Sequence, residues 1–350
     1  MKKVSAIILV LAGLGGLSDS MASQLGRDNG FVRIDLAGGE RRLVSVPLVR
    51  PVEFEGVTSG GGSNYVSQTG AFTAGQFNDA AGDNKYELEI TSGRHIGLVL
   101  AVVSNSANSV FLTGELPASV QIGTTFVVRK SWTPGSLFGT NLTEVTGNGL
   151  KAGSTFLAST QIGLFDAAAN AFTTEVFFRS TVGQWRLVNS QNTVTNLYDI
   201  RLGPRNAFFI TEGGGAGAAS VLVSGEVRKS RTLAPVGSAI SNTKAMLANP
   251  NVFPMTLNSS GMYNAFGESS SSNSVQEATV FTTADEVTRF FGSNNSATNY
   301  YHRSTQHQWL RSGTTSGDLG STPIGAGEGL IFKRSPAGSA YIAVDPQVIK

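Results

Sequence analysis

The chain has 350 residues, 40 % of them hydrophobic and 14 % charged, with 42 glycines, no cysteine and a formal net charge of +2. Without cysteine there are no disulfides, thiol catalysis or Cys-based metal sites, and the near-neutral balance gives no bulk attraction for nucleic acid or an anionic membrane. The length leaves room for two or three domains, and a polar surface of Ser, Thr, Asn and Gln with glycine at the turns suits short strands rather than helices.

The N-terminus has the pattern of a signal peptide. Lys2 and Lys3 form the basic region, Val4 to Leu17 is apolar, and Ser20-Met21-Ala22 offers small residues for cleavage. The apolar run falls short of the about 20 residues a membrane helix needs. Cleavage after residue 22 removes Lys2, Lys3 and Asp19. No second apolar run follows, so the mature chain is expected to be secreted or surface-associated, without a transmembrane segment. A weakly charged surface also lowers the barrier to self-association.

Gly30 to Val49 reads as a hairpin turned at Ala37-Gly38-Gly39-Glu40, with Pro47 and Pro51 marking its exit. Val52 to Val57 is a further strand. Lys85 to Thr91 alternates strictly: Tyr86, Leu88 and Ile90 share the apolar face, and Lys85, Glu87 and Glu89 share what reads as the solvent face. Ile96 to Val103, Val110 to Leu112 and Thr125 to Arg129 complete a first unit, a small barrel or sandwich over residues 30–131.

Val128-Arg129-Lys130-Ser131 recurs as Val227-Arg228-Lys229-Ser230, and both strings read as unit exits. Two further units are then expected at 132–232 and 233–350. Their strands centre on Gln184-Trp185-Arg186 and Gln308-Trp309-Leu310. Trp185 to Trp309, Gly203 to Gly327 and Phe208 to Phe332 share one offset of 124 positions, which predicts one antiparallel β unit built twice. Helix is scarce. Thr283-x-x-Glu286 fits either a capping box opening a short helix or a continued strand, and Ser241 to Ala248 fits one or two helical turns before Pro250. The predicted fold class is all-β.

Gly30-Phe31-Val32-Arg33-Ile34, Leu43-Val44-Ser45-Val46-Pro47 with Arg50-Pro51, Trp132-Thr133-Pro134-Gly135-Ser136-Leu137-Phe138 and the two Trp segments resemble a family of uncharacterised, exported bacterial β-rich proteins. The resemblance spans residues 30 to 345. It implies export and a β architecture, with no assigned activity and no catalytic residues to carry over.

Motifs for chemistry are sparse. There is no Gly-x-Ser-x-Gly elbow and no His-Glu-x-x-His. His302 and His307 stand five apart, an odd offset that puts them on opposite faces of a strand. Gly213 to Gly217 follows a strand but precedes another strand, so it reads as a hairpin tip rather than a phosphate loop. Asn78, Asp79 and Asp83, with Asn84, cluster in one loop and are the candidate calcium ligands, although the same residues are ordinary turn formers. Glu87 and Glu89 form an i, i+2 carboxylate pair of the kind a glycan-active enzyme uses. Trp132, Trp185 and Trp309 are the candidate ligand contacts, as stacking platforms for polysaccharide or as core wedges. The leading expectation is an exported, non-enzymatic, self-associating protein of the cell surface or matrix. The alternatives are a carbohydrate-binding module and a glycan-active enzyme.

Overall fold

Alternation of apolar and polar residues organises the chain into antiparallel strands. The computed structural model describes residues 29–79, 85–166, 169, 171–190, 195–202, 207–213, 219–228, 230–235, 243–263, 275–291, 296–335 and 341–344. The expected signal peptide and the Ser269–Ser272 loop lie outside these residues. The strands are β1 (Asn29–Leu36), β2 (Arg41–Ser45), β3 (Leu48–Val49), β4 (Val52–Val57), β5 (Gly60–Gly62), β6 (Tyr65–Ser67), β7 (Tyr86–Ile90), β8 (Val99–Asn105), β9 (Ser109–Leu112) and β10 (Thr125–Lys130). Two short helices follow, Pro134–Phe138 and Leu142–Gly147. Next come β11 (Gln161–Asp166), β12 (Ala171–Arg179), β13 (Gln184–Leu187), β14 (Ala207–Thr211), β15 (Ala219–Val227), β16 (Thr232–Pro235), β17 (Thr243–Ala248) and β18 (Met255–Thr256). The chain ends in β19 (Glu286–Phe291), β20 (Ser296–Arg303), β21 (Gln308–Arg311), β22 (Pro323–Ile324), β23 (Gly329–Arg334) and β24 (Tyr341–Val344). The fold is all-β.

Residues 52–130 form one curled sheet in the order β4-β10-β7-β8-β9-β6-β5, whose two edge strands are consecutive in the chain. β8 bends at a bulge between Val102 and Ser104, which lets one strand serve both halves of the curl. Its concave side holds Phe72, Phe77, Leu88, Ile90, Val102, Val110, Phe126 and Val128.

Apart from the short pair β18-β22, the remaining strands build two sandwiches. In the first, the sheet β13-β12-β11-β14-β2 faces the sheet β1-β15-β3. Their shared core runs from Val32, Ile34 and Val44 to Trp132, Trp185, Phe208 and Val221. In the second, β21-β20-β19-β23-β17 faces the pair β16-β24, around Leu247, Tyr300, Trp309, Phe332 and Ile342. The two five-stranded sheets have the same pairing order. Phe178 pairs with Trp185 in the first and His302 with Trp309 in the second. Gly153 bridges Arg179 as Ala278 bridges Arg303. The hydroxyls of Thr133 and Ser136 exchange the same local hydrogen bonds with backbone as those of Thr256 and Ser259.

The outer faces of these two sheets lie back to back. Leu43, Phe165, Phe209 and Met246 pack together there with Phe290 and Ile331. β2 lies against β23, and β14 lies against β17. Since β2 and β17 hold the same place in their sheets, as do β14 and β23, this contact has an approximate twofold relation. It explains why Leu43 and Val44 are both apolar and buried: Val44 faces the core of the first sandwich while Leu43 faces the second.

Several expected elements are rearranged. The turn at Ala37–Glu40 is present, with Glu40 N donating to Ala37 O at 3.0 Å. Its two arms do not form a hairpin, however: β1 pairs with β15, and β2 pairs with β14. The chain passes from one layer of the sandwich to the other, and the apolar sides of β1 and β2 then meet across the shared core. Pairing therefore crosses the boundary drawn at residue 131: residues 29–49 share sheets and a core with residues 132–227, and the curled sheet interrupts them. Thr243–Ala248 is a strand rather than a helix, paired with β23 over its whole length. The Thr283-x-x-Glu286 segment is a 3₁₀ turn, Phe281–Thr283, leading into β19. Tertiary pairing outweighs weak local helix propensity at both places.

Candidate functional site

The curled sheet meets the first sandwich along a cleft of about 360 Å³, lined by Val49, Val52, Glu55, Glu89, Thr91, Ile96, Arg129, Glu226, Val227, Arg228 and Ser230. Strand geometry places its charges. Glu87 and Glu89 project from one face of β7, and Arg129 comes from the neighbouring β10, opposite Glu87 in the register. Glu226 comes from the end of β15, and Arg228 and Ser230 follow it. A parallel bridge between Leu98 and Leu233 of β16 ties the curled sheet to the second sandwich as well. At Gly97, with φ +87, any Cβ would stand 1.8 Å from Arg231 O, so this close approach requires glycine.

The face of β7 that reads as solvated is therefore covered. Glu89 is 3 % exposed. Its Oε1 accepts from Arg228 Nη1 at 2.7 Å and from Ser230 Oγ. Its Oε2 lies 3.6 Å from Arg129 Nε. Arg129 Nη1 also donates to Glu226 Oε2 at 2.9 Å and to Arg50 O at 3.1 Å. The two Val-Arg-Lys-Ser strings thus meet: the arginine of each pairs with the same carboxylate. Alternation reports which residues share a face, and cannot report that a segment some 140 positions later covers it.

Glu87 keeps part of its surface in contact with solvent, yet burial pushes its carboxyl up to about 7, with the neighbouring Glu89 adding to the rise against the pull of Arg228, Arg129 and Arg201. The two carboxylates of one strand face are thus split. Glu89 is held by cations, while Glu87 keeps a proton through most of the acidic range. A raised carboxyl binds its proton more tightly in the folded state than in the unfolded chain. Stability from this group is then full below about pH 4.5 and is lost as pH rises to about 7. Glu87→Gln is expected to raise stability at pH 8 by roughly 1–3 kcal/mol and to leave it nearly unchanged at pH 4. Chemical denaturation at the two pH values measures this. A variant less stable at pH 8 would show instead that Glu87 acts there as an ionised partner of Arg228.

The other predicted site residues fall elsewhere. Trp132, Trp185 and Trp309 are 7 %, 1 % and 1 % exposed, so none presents a ring face to a ligand. The indole N–H of Trp132 donates to Leu48 O at 3.0 Å and that of Trp185 to Gly139 O at 2.9 Å. Their size makes them core wedges. Asn78 Oδ1 accepts from Asn105 N at 3.3 Å. The Asp79 carboxylate pairs with Lys85 on one oxygen and with Arg201, at 3.0 Å, on the other. Its oxygens are thus engaged by cations rather than gathered with Asn78 around a common point. Asp83 and Asn84 lie outside the described residues, as do residues 214–218 of the glycine loop.

The histidines are arranged unlike the prediction. Although an odd offset separates them, His302 and His307 both reach Glu277. Its Oε2 lies 3.0 Å from His302 Nδ1, 3.2 Å from His307 Nδ1 and 3.0 Å from the Tyr263 hydroxyl, which donates to it. The tight turn between β20 and β21 folds His307 back over His302, a move that straight-strand spacing does not anticipate. Tyr263 stacks on His302 with ring centroids 3.5 Å apart. Burial lowers the pKa of His302, against the pull of Glu277. The phenol of Tyr263 is pushed up to about 12, first by burial and then by Glu277. His95 stands apart from this group, with Nδ1 3.1 Å from Ser119 Oγ.

The fold and the cleft define an all-β protein of two matched sandwiches with a curled sheet set between the strands of the first. No known protein-family model, curated protein or solved structure matches the chain. No helix among the described residues is long and apolar enough to cross a membrane.

Proposed function

We propose that the protein is an exported, non-enzymatic structural or adhesive component of the bacterial cell surface or extracellular matrix, and that it associates with copies of itself. The signal-peptide pattern of residues 1–22 supports export. The common offset of 124 between the Trp segments, with the shared pairing order of the two five-stranded sheets, supports a β unit built twice. The observation that carries self-association is β1. All eight of its residues pair with β15 on one side, and among the described residues no strand pairs with its other side. Its outer face is exposed, with Phe31 at 49 % and the adjacent Leu222 at 60 %.

A long open edge carrying apolar side chains is a template for another strand. A second copy of β1 suits it. Antiparallel pairing about Ile34 sets Arg33 opposite Asp35 at two places, matching the charges that already pair within one chain at 2.6 Å. Light scattering coupled to gel filtration should show mass rising with concentration for the mature protein, and a monomer for Phe31→Lys/Leu222→Lys. A wild-type monomer at every concentration overturns the reading.

A second reading, a glycan-active site at Glu87 and Glu89, is favoured by two carboxyls on one strand face of which Glu87 is pushed up to about 7 by burial and Glu89 is paired with Arg228 and Arg129. Release of reducing sugar from a polysaccharide, abolished in the same Glu87→Gln protein, would put it in place of the first. Polysaccharide binding through Trp132, Trp185 and Trp309 has no exposed indole face to work with.

A further inference from the structure

The two sandwiches are matched in their smaller sheets as well as in their larger ones. β1 precedes β2 and pairs with β15, and β16 precedes β17 and pairs with β24. Ile34 and Val221 form a pair in the first core, and Ala234 and Ile342 form one in the second. One position along, on the opposite side of each sheet, Arg33 pairs with Leu222 and Leu233 with Ala343. β1 and β16 are therefore the same strand of a unit built twice.

Their surroundings differ. In the second unit the curled sheet covers both the outer side and the edge. Leu233 and Ala343 are fully buried among the apolar residues of that sheet. Leu233 N donates to Gly97 O at 3.0 Å, and Leu98 bridges Leu233 in parallel. The covering segment is itself fixed to β7, with Gly97 N donating to Ile90 O at 2.8 Å and Ile90 N to Leu98 O at 2.9 Å. In the first unit the same outer side is open. Leu222 is 60 % exposed, and the side chain of Arg33 is 64 % exposed. Among the described residues no strand lies beyond β1. The chain thus has two matched edges and one cover.

An uncovered edge recruits strands, and natural sheets cover such edges with a loop or another element. The number of open edges sets the form of an assembly. One edge pairing with its own copy closes a twofold dimer, whereas two would let copies add without end. We propose that the curled sheet is an edge guard: residues 96–98 close β16 to other copies, so that association is confined to β1 and stops at a twofold pair. This rests on the reading that β1 joins one copy to another. The guard depends on Gly97. Its φ of +87, and the 1.8 Å that would separate a Cβ from Arg231 O, leave no room for a side chain. A larger residue pushes the segment away from β16 and uncovers Leu233 N together with the apolar outer side of β16 and β24.

Light scattering and sedimentation velocity on the full mature chain compare four proteins: wild type, Phe31→Lys/Leu222→Lys, Gly97→Val, and all three substitutions together. Wild type should stop at twice the mass of one chain. Gly97→Val should exceed that mass and keep growing with concentration. The triple variant, with β1 blocked, should stop again at two copies, joined through β16. If β1 does not join copies, wild type stays a monomer and Gly97→Val gives the same dimer in both backgrounds, which separates failure of that reading from failure of the guard. A reversible lock covers the case in which Gly97→Val does not fold. The chain has no cysteine, so Leu98→Cys/Leu233→Cys can form one disulfide, between bridge partners, that holds residues 96–98 on β16. In mild guanidinium wild type should pass beyond two copies, the oxidised variant should not, and reduction should restore growth. Gly97→Val with no gain of mass in either background, a triple variant that grows beyond two copies, or an oxidised variant that grows like wild type overturns the guard.

Discussion

Asp285→Ala is expected to destabilise the protein by about 3–5 kcal/mol, because it strands a buried cation. Asp285 and Arg334 both have fully buried side chains, with Oδ2 3.3 Å from Nε. Arg334 closes β23 at the end of the second sandwich, its guanidinium 5.2 Å from the ring centre of Phe332. Asp285 sits just ahead of β19. Its carboxylate also accepts from Gln276 N at 2.8 Å and from Ser335 N at 3.1 Å. Burial raises its pKa against the pull of Arg334, so the pair is held at a desolvation cost. Asp285→Asn keeps acceptors for the two backbone amides and should lose less. Adding Arg334→Met to Asp285→Asn removes the stranded charge and should recover part of that loss. Guanidinium denaturation of the three variants measures the order. A double variant weaker than Asp285→Ala would mean that the arginine stabilises through contacts other than the ion pair.

Trp185→Ala should cost a similar amount, about 3–5 kcal/mol, as a large aromatic removed from a packed core. Phe138 packs tilted and Phe178 edge-on against this indole, at 6.0 and 5.7 Å between ring centres, and Gly139 O takes its N–H. Trp185→Phe keeps most of the volume but leaves that carbonyl without its donor, and should cost about 1–2 kcal/mol. Trp309→Ala should cost as much as Trp185→Ala, through the second core rather than the first. These values separate a core wedge from a sugar platform. An exposed platform residue would lose binding and keep its melting temperature, whereas both tryptophans should lower it.

Local pattern carried much of the architecture. The alternation at Tyr86, Leu88 and Ile90 located β7, and Trp185 and Trp309 fall on β13 and β21, edge strands of two sheets with one pairing order. The recurrence of Val-Arg-Lys-Ser also marked real positions, although their meaning changed: Arg129 and Arg228 converge on Glu89 rather than merely closing strands. The clearest overlooked sign was the same 124-residue offset applied to the turn. It carries Gly183 onto His307, and a histidine where glycine supplies positive φ is visible in the sequence once the two segments are aligned.

What the sequence determined by itself is the strand content, the absence of thiol chemistry and the matched Trp segments, because period-two patterning, composition and spacing are properties of neighbouring residues. The tertiary structure decided which strands share a sheet and which polar groups meet. β1 and β2 look like a hairpin from their turn, yet they join different sheets because each takes its ladder partner, β15 or β14, from a segment more than 160 positions away. Glu89 looks solvated from its alternation, yet Arg228 and Ser230 cover it. His302 and His307 look opposed from their offset, yet one tight turn brings both to Glu277. In each case a contact between distant segments overrides a rule that holds only along a single straight strand.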